Sequence, residues 1–164
     1  MDRILLTIAI PTYKRCKYAV QNVKHLLPQV NAHRDKVRLI VTDNHSEDGT
    51  FEALTEISRQ NDGVFKFYEQ KENIGWMNNF FFGIENSDSE FVFLLGDDDI
   101  VSPNFLDVVI PLLEQGGDRL GMLHFNYIMA SDNLSDGRLL YPNLENEQMV
   151  LEYNDASEFV KKYH

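Results

Sequence analysis

Three consecutive aspartates are the side chains of this chain whose type and spacing most clearly suggest a functional site. Asp97, Asp98 and Asp99 follow Gly96 and the apolar segment 91–95. Neighbouring carboxylates repel one another, so they are tolerated where they are exposed to water or where a cation neutralises them. Mg²⁺ and Mn²⁺ prefer oxygen ligands, and Mg²⁺ is often held by one or two carboxylates together with substrate phosphates. The cluster therefore predicts a divalent-metal site for a phosphorylated substrate; the alternative is an acidic turn before the next helix.

A second polar segment, 43–50, also follows an apolar segment and begins with Asp43. A carboxylate at such a position can accept hydrogen bonds from a nucleobase imide or a ribose hydroxyl. The spacing excludes an EF-hand, because Gly49 is the seventh residue from Asp43 and that loop requires glycine at the sixth. His45 is isolated, and it is predicted to be a turn residue and not a general base.

Two further polar segments follow predicted strands. Residues 11–15 supply Tyr13, which can pack on a base, and two basic side chains that can approach phosphates. Residues 73–79 supply Gly75, where a ligand can approach the backbone closely, and asparagines that offer uncharged donors. Each is weak as an isolated motif, because a strand-to-helix turn explains the first and helix capping explains the second almost as well.

The apolar residues recur in a pattern that alternates strands with helices. Short apolar runs predict strands, and apolar positions at helical spacing predict helices. The predicted strands are 4–10, 37–42, 64–68 and 91–95, and the predicted helices are 17–30, one that follows Thr50, 76–85 and 104–114. Pro28 is expected to kink or end the first helix, and Ser102 is expected to cap the last one.

This alternation predicts an α/β fold. Strand–helix units favour right-handed crossovers and a doubly wound, mostly parallel sheet of the Rossmann-like type with helices on both faces. In such sheets ligands bind beyond the carboxyl ends of the strands, and all four polar segments begin there. The predicted fold therefore brings them to one edge.

The pattern changes after residue 116. Residues 120–130 predict a longer strand, and residues 131–137 predict a polar loop. Asp155 and Glu158 form a capping box, which predicts a helix that starts close to the last residue. Such a late helix predicts that the chain is a C-terminally truncated part of a longer protein.

The composition excludes several classes of function. The chain has 164 residues, of which 43% are hydrophobic, and this is enough for one domain with its own core. Its net charge of -11 would repel a nucleic-acid backbone. Cys16 is the one cysteine and cannot form an internal disulfide, which favours a cytoplasmic location. No apolar run approaches the ~20 residues of a membrane-spanning helix, and no dinucleotide, P-loop or hydrolase-elbow motif occurs.

Taken together, the four segments resemble those of the family 2 glycosyltransferases. Segments 8–15, 41–50, 73–75 and 95–99 have the order and the approximate spacing of that family, and the resemblance covers most of residues 4–110. It is closest to members that build bacterial surface polysaccharides. The resemblance implies a GT-A fold, a nucleotide-diphospho-sugar donor, Mg²⁺ or Mn²⁺, and inversion at the anomeric carbon. It also implies hexosyl or deoxyhexosyl transfer to a saccharide or lipid-linked acceptor.

The resemblance also assigns roles to single residues. Asp98 would be the metal ligand, with Asp99 as a helper and Asp97 near the ribose or the metal. The predicted nucleotide-sugar site comprises Pro11, Thr12, Tyr13, Arg15, Asp43, Asn73, Gly75, Asn79 and Asp97. The chain departs from the family pattern at Gly96, where many members have an aspartate, and at Lys14, where asparagine is usual.

The resemblance does not identify the catalytic base. In this family the base is an Asp or Glu well downstream of the metal motif, and here it could lie beyond His164. Four acidic residues follow the motif without a spacing that singles one out: Asp132, Asp136, Glu145 and Glu147. The predicted organisation is one catalytic domain, 1–164, with the nucleotide-sugar part in about 1–115 and the start of the acceptor side in about 116–164.

Other functions remain open from the sequence. A sugar-nucleotidyltransferase has a similar sheet and metal, but its first loop is rich in glycine and residues 11–15 contain none. A non-catalytic nucleotide-sugar-binding module would also lack a base, and an acidic interaction domain has only the net charge in its favour. Residues 80–82 are three phenylalanines that could contact a lipid-linked acceptor at the inner face of a membrane, although such residues are more often partly in a core.

Overall fold

The computed structural model describes residues 4–123, 125, 127–130 and 137–139. These fall into two compact units, which divide after Arg119. The strands of the first unit are β1 (Leu6–Thr12), β2 (Val37–Asp43), β3 (Phe65–Glu69) and β4 (Phe91–Leu94). Its helices are α1 (Cys16–Ala32), α2 (Thr50–Gln60), α3 (Trp76–Glu85) and α4 (Phe105–Gly116), followed by a short 3₁₀ turn, Gly117–Arg119.

The four strands form one parallel sheet in the order β3-β2-β1-β4. In the register, Thr12 at the end of β1 pairs with Asp43 at the end of β2, and Ala9 pairs with Leu94 of β4. Chain order reverses around β1, because β2 lies on one side of it and β4 on the other. Loops on the two sides of such a reversal separate at the carboxyl edge and leave a crevice. The predicted parallel α/β sheet is confirmed.

Both faces of the central strand β1 are buried. Ile8 and Ile10 point to one face of β1 and Ala9 to the other, and all three are at most 1% exposed. Helix α3 lies close on the Ala9 face, since a Cβ at Gly83 would come within 3.3 Å of the Ala9 Cβ. One turn earlier, Asn79 Nδ2 donates to the Thr42 carbonyl oxygen at 2.8 Å, which fixes α3 against β2.

Helix α1 continues through Pro28, so of the two effects expected from this proline, a kink or an early end, the early end is wrong. The helix extends to Ala32 with the proline inside it. Proline removes the hydrogen bond to the carbonyl four residues earlier, at Lys24. Both Pro28 and Lys24 are exposed, so solvent can satisfy that carbonyl. The buried side chains of Leu26, Leu27 and Val30 hold the helix to the core on either side of the proline.

Helix α4 begins later than the sequence predicts, and Ser102 is not its cap. The cap position is Asn104, and no side chain caps the helix there. The Ser102 carbonyl instead accepts hydrogen bonds from the Phe105 N–H at 3.0 Å and from Gln29 Nε2 at 3.0 Å. The first of these closes a tight turn, so regular helix starts only after it.

The second unit contains a short antiparallel pair, β5 (Ile128–Met129) with β6 (Arg138–Leu139). The predicted strand over 120–130 is therefore wrong in its length. A strand persists only where a neighbour pairs with it, and among the described residues that partner is two residues long. Residues 131–136 of the predicted loop 131–137 lie outside the described residues, as do the capping box at Asp155 and the acidic residues considered for a base.

In the part of the chain that the structure describes, no helix combines the length and apolar character that crossing a membrane requires.

Candidate functional site

A buried hydrogen bond joins the ends of two neighbouring strands at the carboxyl edge of the sheet. Thr12 Oγ1 donates to Asp97 Oδ2 at 2.7 Å, across β1 and the loop that follows β4. Both residues are buried, at 3% and 6% exposure. A hydrogen bond to a buried carboxylate is strong, so it fixes the position of Asp97. The convergence of these segments agrees with the prediction from strand order.

Residues 96–99 form the acidic loop, and Arg15 places a positive charge against it. Its Nη1 lies 3.1 Å from Asp97 Oδ1 and 2.7 Å from Asp98 Oδ2. The hydrogen bond and charge of Asp97, and then those of Asp98, raise the pKa of the Arg15 guanidinium above its usual value. Half of the Arg15 side chain is exposed, so the guanidinium remains accessible to a ligand.

The loop after β1 is tied to the loop after β2 through Ser46. The Lys14 N–H donates to Ser46 Oγ at 2.7 Å, and both Ser46 N–H and Ser46 Oγ donate to the carboxylate of Asp43. Lys14 has a φ of +54°, a left-handed conformation that asparagine adopts more readily than lysine. This explains why asparagine is usual at this position in the family that the sequence resembles. Asp43 is fully buried and engaged with Ser46.

Two asparagines connect the loops that follow β2 and β3. Asn44 Nδ2 donates to Asn73 Oδ1 at 2.9 Å, and the Ile74 N–H donates to Asn44 Oδ1 at 2.9 Å. The Gly75 N–H also donates to Asn73 Oδ1, at 2.9 Å. Gly75 has a φ of +84°, which glycine adopts without strain and which turns the chain into α3.

These loops line an open cavity of about 270 Å³ at the edge of the sheet. From the predicted site it is lined by Pro11, Thr12, Tyr13, Arg15, Asn73, Asn79 and Asp97. The predicted Asp43 and Gly75 do not line it, and neither do Asp98 and Asp99. Three lining residues were not predicted: Asn44, Trp76 and Phe80. Trp76 and Phe80 are four residues apart on one face of α3, a spacing that could have identified them as a wall.

The acidic loop offers oxygen ligands of the kind that Mg²⁺ and Mn²⁺ prefer. Asp98 and Asp99 are exposed, and a Cβ at Gly96 would lie 2.6 Å from Asp99 Oδ2 and 3.2 Å from Asp98 Oδ1. The glycine therefore leaves room for both carboxylates, which an aspartate at that position would displace. No group of three or more metal-ligating side chains forms among the described residues. Two carboxylates suit a cation that takes its other ligands from water and phosphates.

Asp48 holds the beginning of α2 and the beginning of α1 together. Its Oδ1 accepts from the Thr50 N–H at 3.2 Å and from the Thr50 hydroxyl, and its Oδ2 accepts from the Cys16 N–H at 3.1 Å. Partial burial acts to raise the pKa of Asp48, but the hydrogen bonds from Thr50 and Cys16 outweigh it. The pKa of Asp48 therefore lies below its ordinary value.

Asp48→Asn is expected to lower the free energy of unfolding at pH 7 by about 0.5–1 kcal/mol, a cap-sized effect reduced by solvent exposure. Because the folded pKa is depressed, the stabilisation is complete above the ordinary Asp pKa of about 4 and is lost as the pH falls through the folded value. Urea unfolding of the natural chain and of Asp48→Asn between pH 7 and pH 2.5 measures how the difference in unfolding free energy depends on pH. Asp62→Asn, on an exposed turn, is the matched control, and a difference that did not shrink in acid would contradict the linkage.

The fold and the cavity define an α/β domain that accepts its ligand beyond the carboxyl ends of parallel strands. Residues 7–155 match the profile described as Glycosyl transferase family 2. This match covers most of the chain, and the chain belongs to that family. The family predicted from the sequence is thus confirmed.

Individual relatives agree with this assignment. The abequosyltransferase RfbV of Salmonella typhimurium is 25% identical over 116 residues, which are 70% of this chain and 34% of RfbV. Among solved structures, TarS 1-349 of S. aureus has a TM-score of 0.59 at 18% identity, with 68% of this chain and 33% of that chain covered. The mannosyltransferase PcManGT of Pyrobaculum calidifontis, in complex with GDP-Man and Mn²⁺, has a TM-score of 0.58 at 20% identity, with 67% and 32% covered.

The structural neighbours confirm the predicted GT-A fold. The chain spans about a third of the length of these three proteins.

Proposed function

We propose that this chain binds a nucleotide-diphospho-sugar together with Mg²⁺ or Mn²⁺, and that the protein transfers the sugar with inversion to a saccharide or lipid-linked acceptor. The observation that carries the proposal is the cluster of Thr12, Arg15, Asp97 and Asp98 beside an aromatic-walled cavity. The complex of the mannosyltransferase with GDP-Man and Mn²⁺ supports the donor class and the metal.

Each wall of the cavity suits one part of such a donor. Tyr13, Trp76 and Phe80 present aromatic surface, which suits a flat nucleobase. Asn73 presents an amide to the same cavity. Thr12 and Asp97 supply a polar floor for the ribose. Asp43, Gly75 and Asn79 contribute by holding the loops that carry these groups.

The diphosphate belongs at the acidic loop. Asp98 and Asp99 would hold the metal, and Arg15 adds a positive charge beside the same carboxylates. Because the Arg15 side chain is half exposed, its guanidinium can turn from the carboxylates to phosphate oxygens. An acidic protein needs such local cations to bind an anionic ligand.

The transfer makes one bond and breaks one. The oxygen of the acceptor hydroxyl bonds to the anomeric carbon from the face opposite the leaving group, and the bond from that carbon to the diphosphate oxygen breaks. The electron pair leaves with the nucleoside diphosphate, and the hydroxyl proton passes to a base. A bound divalent cation would neutralise charge on the departing diphosphate. In this proposal the base is an Asp or Glu that follows the acidic loop in the sequence.

The proposed setting is bacterial polysaccharide synthesis in the cytoplasm, with contact to the inner face of the membrane where the acceptor is lipid-linked. Trp76, Met77 and Phe81 of α3 are exposed, at 72%, 44% and 48%. Exposed apolar side chains next to the cavity are suited to a lipid tail. In this proposal residues 1–115 carry the donor site, and residues 116–164 begin the acceptor side.

A panel of nucleoside diphosphates tests the proposal. UDP, GDP, CDP, dTDP and ADP are each added to the chain with Mn²⁺ or with a chelator, and thermal unfolding is followed. Ligand at ~100 times its dissociation constant adds about 2.7 kcal/mol, which corresponds to roughly 5–10 °C for a chain of this size. A metal-dependent shift with one base identifies the donor class, whereas no shift with any of the five would contradict the proposal.

A further inference from the structure

Asn22 is a polar residue in the buried face of helix α1. It is 1% exposed, and its neighbours on that face, Val23 and Leu26, are fully buried apolar residues. A buried amide is costly unless hydrogen bonds replace those it makes with water. The partners of Asn22 therefore indicate why an amide lies at this position.

Those partners are backbone carbonyls of the acidic loop. Asn22 Nδ2 lies 3.0 Å from the Gly96 carbonyl oxygen and 2.7 Å from that of Asp99, with that of Asp97 at 3.5 Å. The two hydrogens of the amide serve the two shorter contacts. Asn22 Oδ1 is buried and accepts no hydrogen bond from the described residues. The opposite orientation would place Oδ1 against carbonyls that cannot donate, so the contacts settle the orientation of the amide.

Two other polar residues of α1 lie on the same side but bind different segments. His25 Nε2 lies 2.7 Å from the Val101 carbonyl oxygen, and Gln29 Nε2 donates to that of Ser102 at 3.0 Å. Gln29 Oε1 also accepts from the Leu106 N–H at 3.2 Å, so Gln29 holds the beginning of α4. Of these three residues, only Asn22 contacts the backbone of the acidic loop.

We propose that Asn22 is a positioning residue that sets the conformation of the acidic loop, an inference that rests on the proposed metal-binding role of Asp98 and Asp99. The Asn22 amide donates hydrogen bonds to the carbonyl oxygens of both Gly96 and Asp99, the first and last residues of the loop. The Asp99 N–H donates to the Gly96 carbonyl at 3.2 Å and closes the same turn. In this turn a carboxylate oxygen of Asp98 and one of Asp99 both lie beside Gly96, within 3.2 Å of where its Cβ would be. Without the amide, the carboxylates of Asp98 and Asp99 are no longer held in position to bind the same metal ion.

The test measures binding of Mn²⁺ alone to the full chain, with free Mn²⁺ counted by electron paramagnetic resonance. Asn22→Leu keeps the size of the side chain in apolar surroundings and removes the unpartnered Oδ1, and Asn22→Ala is a second variant. Gln29→Met is the matched control, because it replaces an amide on the same side of α1 that does not contact the acidic loop. Thermal unfolding in chelator verifies that each variant folds.

Both Asn22 variants are expected to bind Mn²⁺ about 10–100-fold more weakly than the natural chain, the usual effect of losing a residue that orients metal ligands. Gln29→Met is expected to stay within about threefold of the natural chain. Equal affinity in the natural chain and in Asn22→Leu would overturn the positioning role and leave the proposed function intact.

The other outcomes are also decisive. Equal weakening in Gln29→Met would overturn the inference, because it would assign the effect to the general packing of α1. Loss of folding in both Asn22 variants would overturn it too, since Asn22 would then determine the fold and not the loop. A natural chain that binds no Mn²⁺ in the absence of nucleotide would overturn this inference, whereas the proposed function would still be decided by the nucleotide panel, because phosphates supply the remaining metal ligands in that proposal.

Discussion

Asp98→Ala is expected to abolish the gain in nucleotide affinity that Mn²⁺ provides and to reduce sugar transfer by two to three orders of magnitude or more. The substitution removes one of the two exposed carboxylates that lie beside Gly96. A metal that stabilises a leaving group supplies several kcal/mol, and about 1.4 kcal/mol corresponds to a tenfold change in rate. Calorimetric titration with the nucleoside diphosphate selected from the panel, with and without Mn²⁺, measures the loss of affinity.

Two variants make the result specific to the metal. Asp98→Asn keeps the shape of the side chain but not its charge, and it should follow the alanine variant. Asp107→Ala removes an exposed aspartate that accepts a hydrogen bond from His33 on a different surface, and it should bind as the natural chain does. Full metal dependence in Asp98→Ala would show that the acidic loop is only an acidic turn.

Asp97→Ala is expected to lower the free energy of unfolding by about 2–3 kcal/mol and to weaken nucleotide binding more than tenfold. The carboxylate accepts the buried hydrogen bond from Thr12, and a bond to a charged group contributes about 1.5–3 kcal/mol. Arg15 adds little to stability because solvent screens its half-exposed side chain. The loss of binding follows because Thr12 and Asp97 both line the cavity.

A double-mutant cycle isolates this contact. Thr12→Val removes the donor and keeps the shape of the side chain, so the double variant should be more stable than the sum of the single effects predicts, by about 1.5 kcal/mol. Urea unfolding of the four proteins provides the values. Strict additivity would mean that Asp97 does not stabilise the sheet edge through Thr12.

The parallel sheet was predictable because its two central strands, β1 and β2, are buried on both faces. Such strands require continuous apolar residues, and the segments that became β1 and β2 have them. The carboxyl ends of parallel strands share an edge, which is why Thr12 at the end of β1 and Asp97 after β4 could be expected to meet. The errors at Pro28 and Ser102 arose where tertiary contacts, absent from local patterns, decide where a helix starts or ends.

The side-chain arrangement of the site was less predictable. Strand order places Asp43 and Arg15 at the correct edge, but it does not show that Asp43 is engaged by Ser46 or that Arg15 contacts Asp97 and Asp98. These contacts depend on rotamers and on the left-handed backbone at Lys14. The amide of Asn22 among apolar positions of α1 indicates a buried partner, but the helical pattern does not show that this partner is the acidic loop.

The most direct test of the account is to identify the bond that the protein cleaves. The chain is incubated with nucleotide-diphospho-sugars carrying the base selected in the panel, and nucleoside diphosphate is measured with Mn²⁺ and with chelator. In parallel, the matching nucleoside triphosphate and sugar 1-phosphate are supplied, and pyrophosphate is measured. The account predicts Mn²⁺-dependent release of nucleoside diphosphate, through hydrolysis or transfer, that is lost in Asp98→Ala. Release of pyrophosphate instead would contradict it, and so would release of nucleoside diphosphate that persists in chelator or in Asp98→Ala.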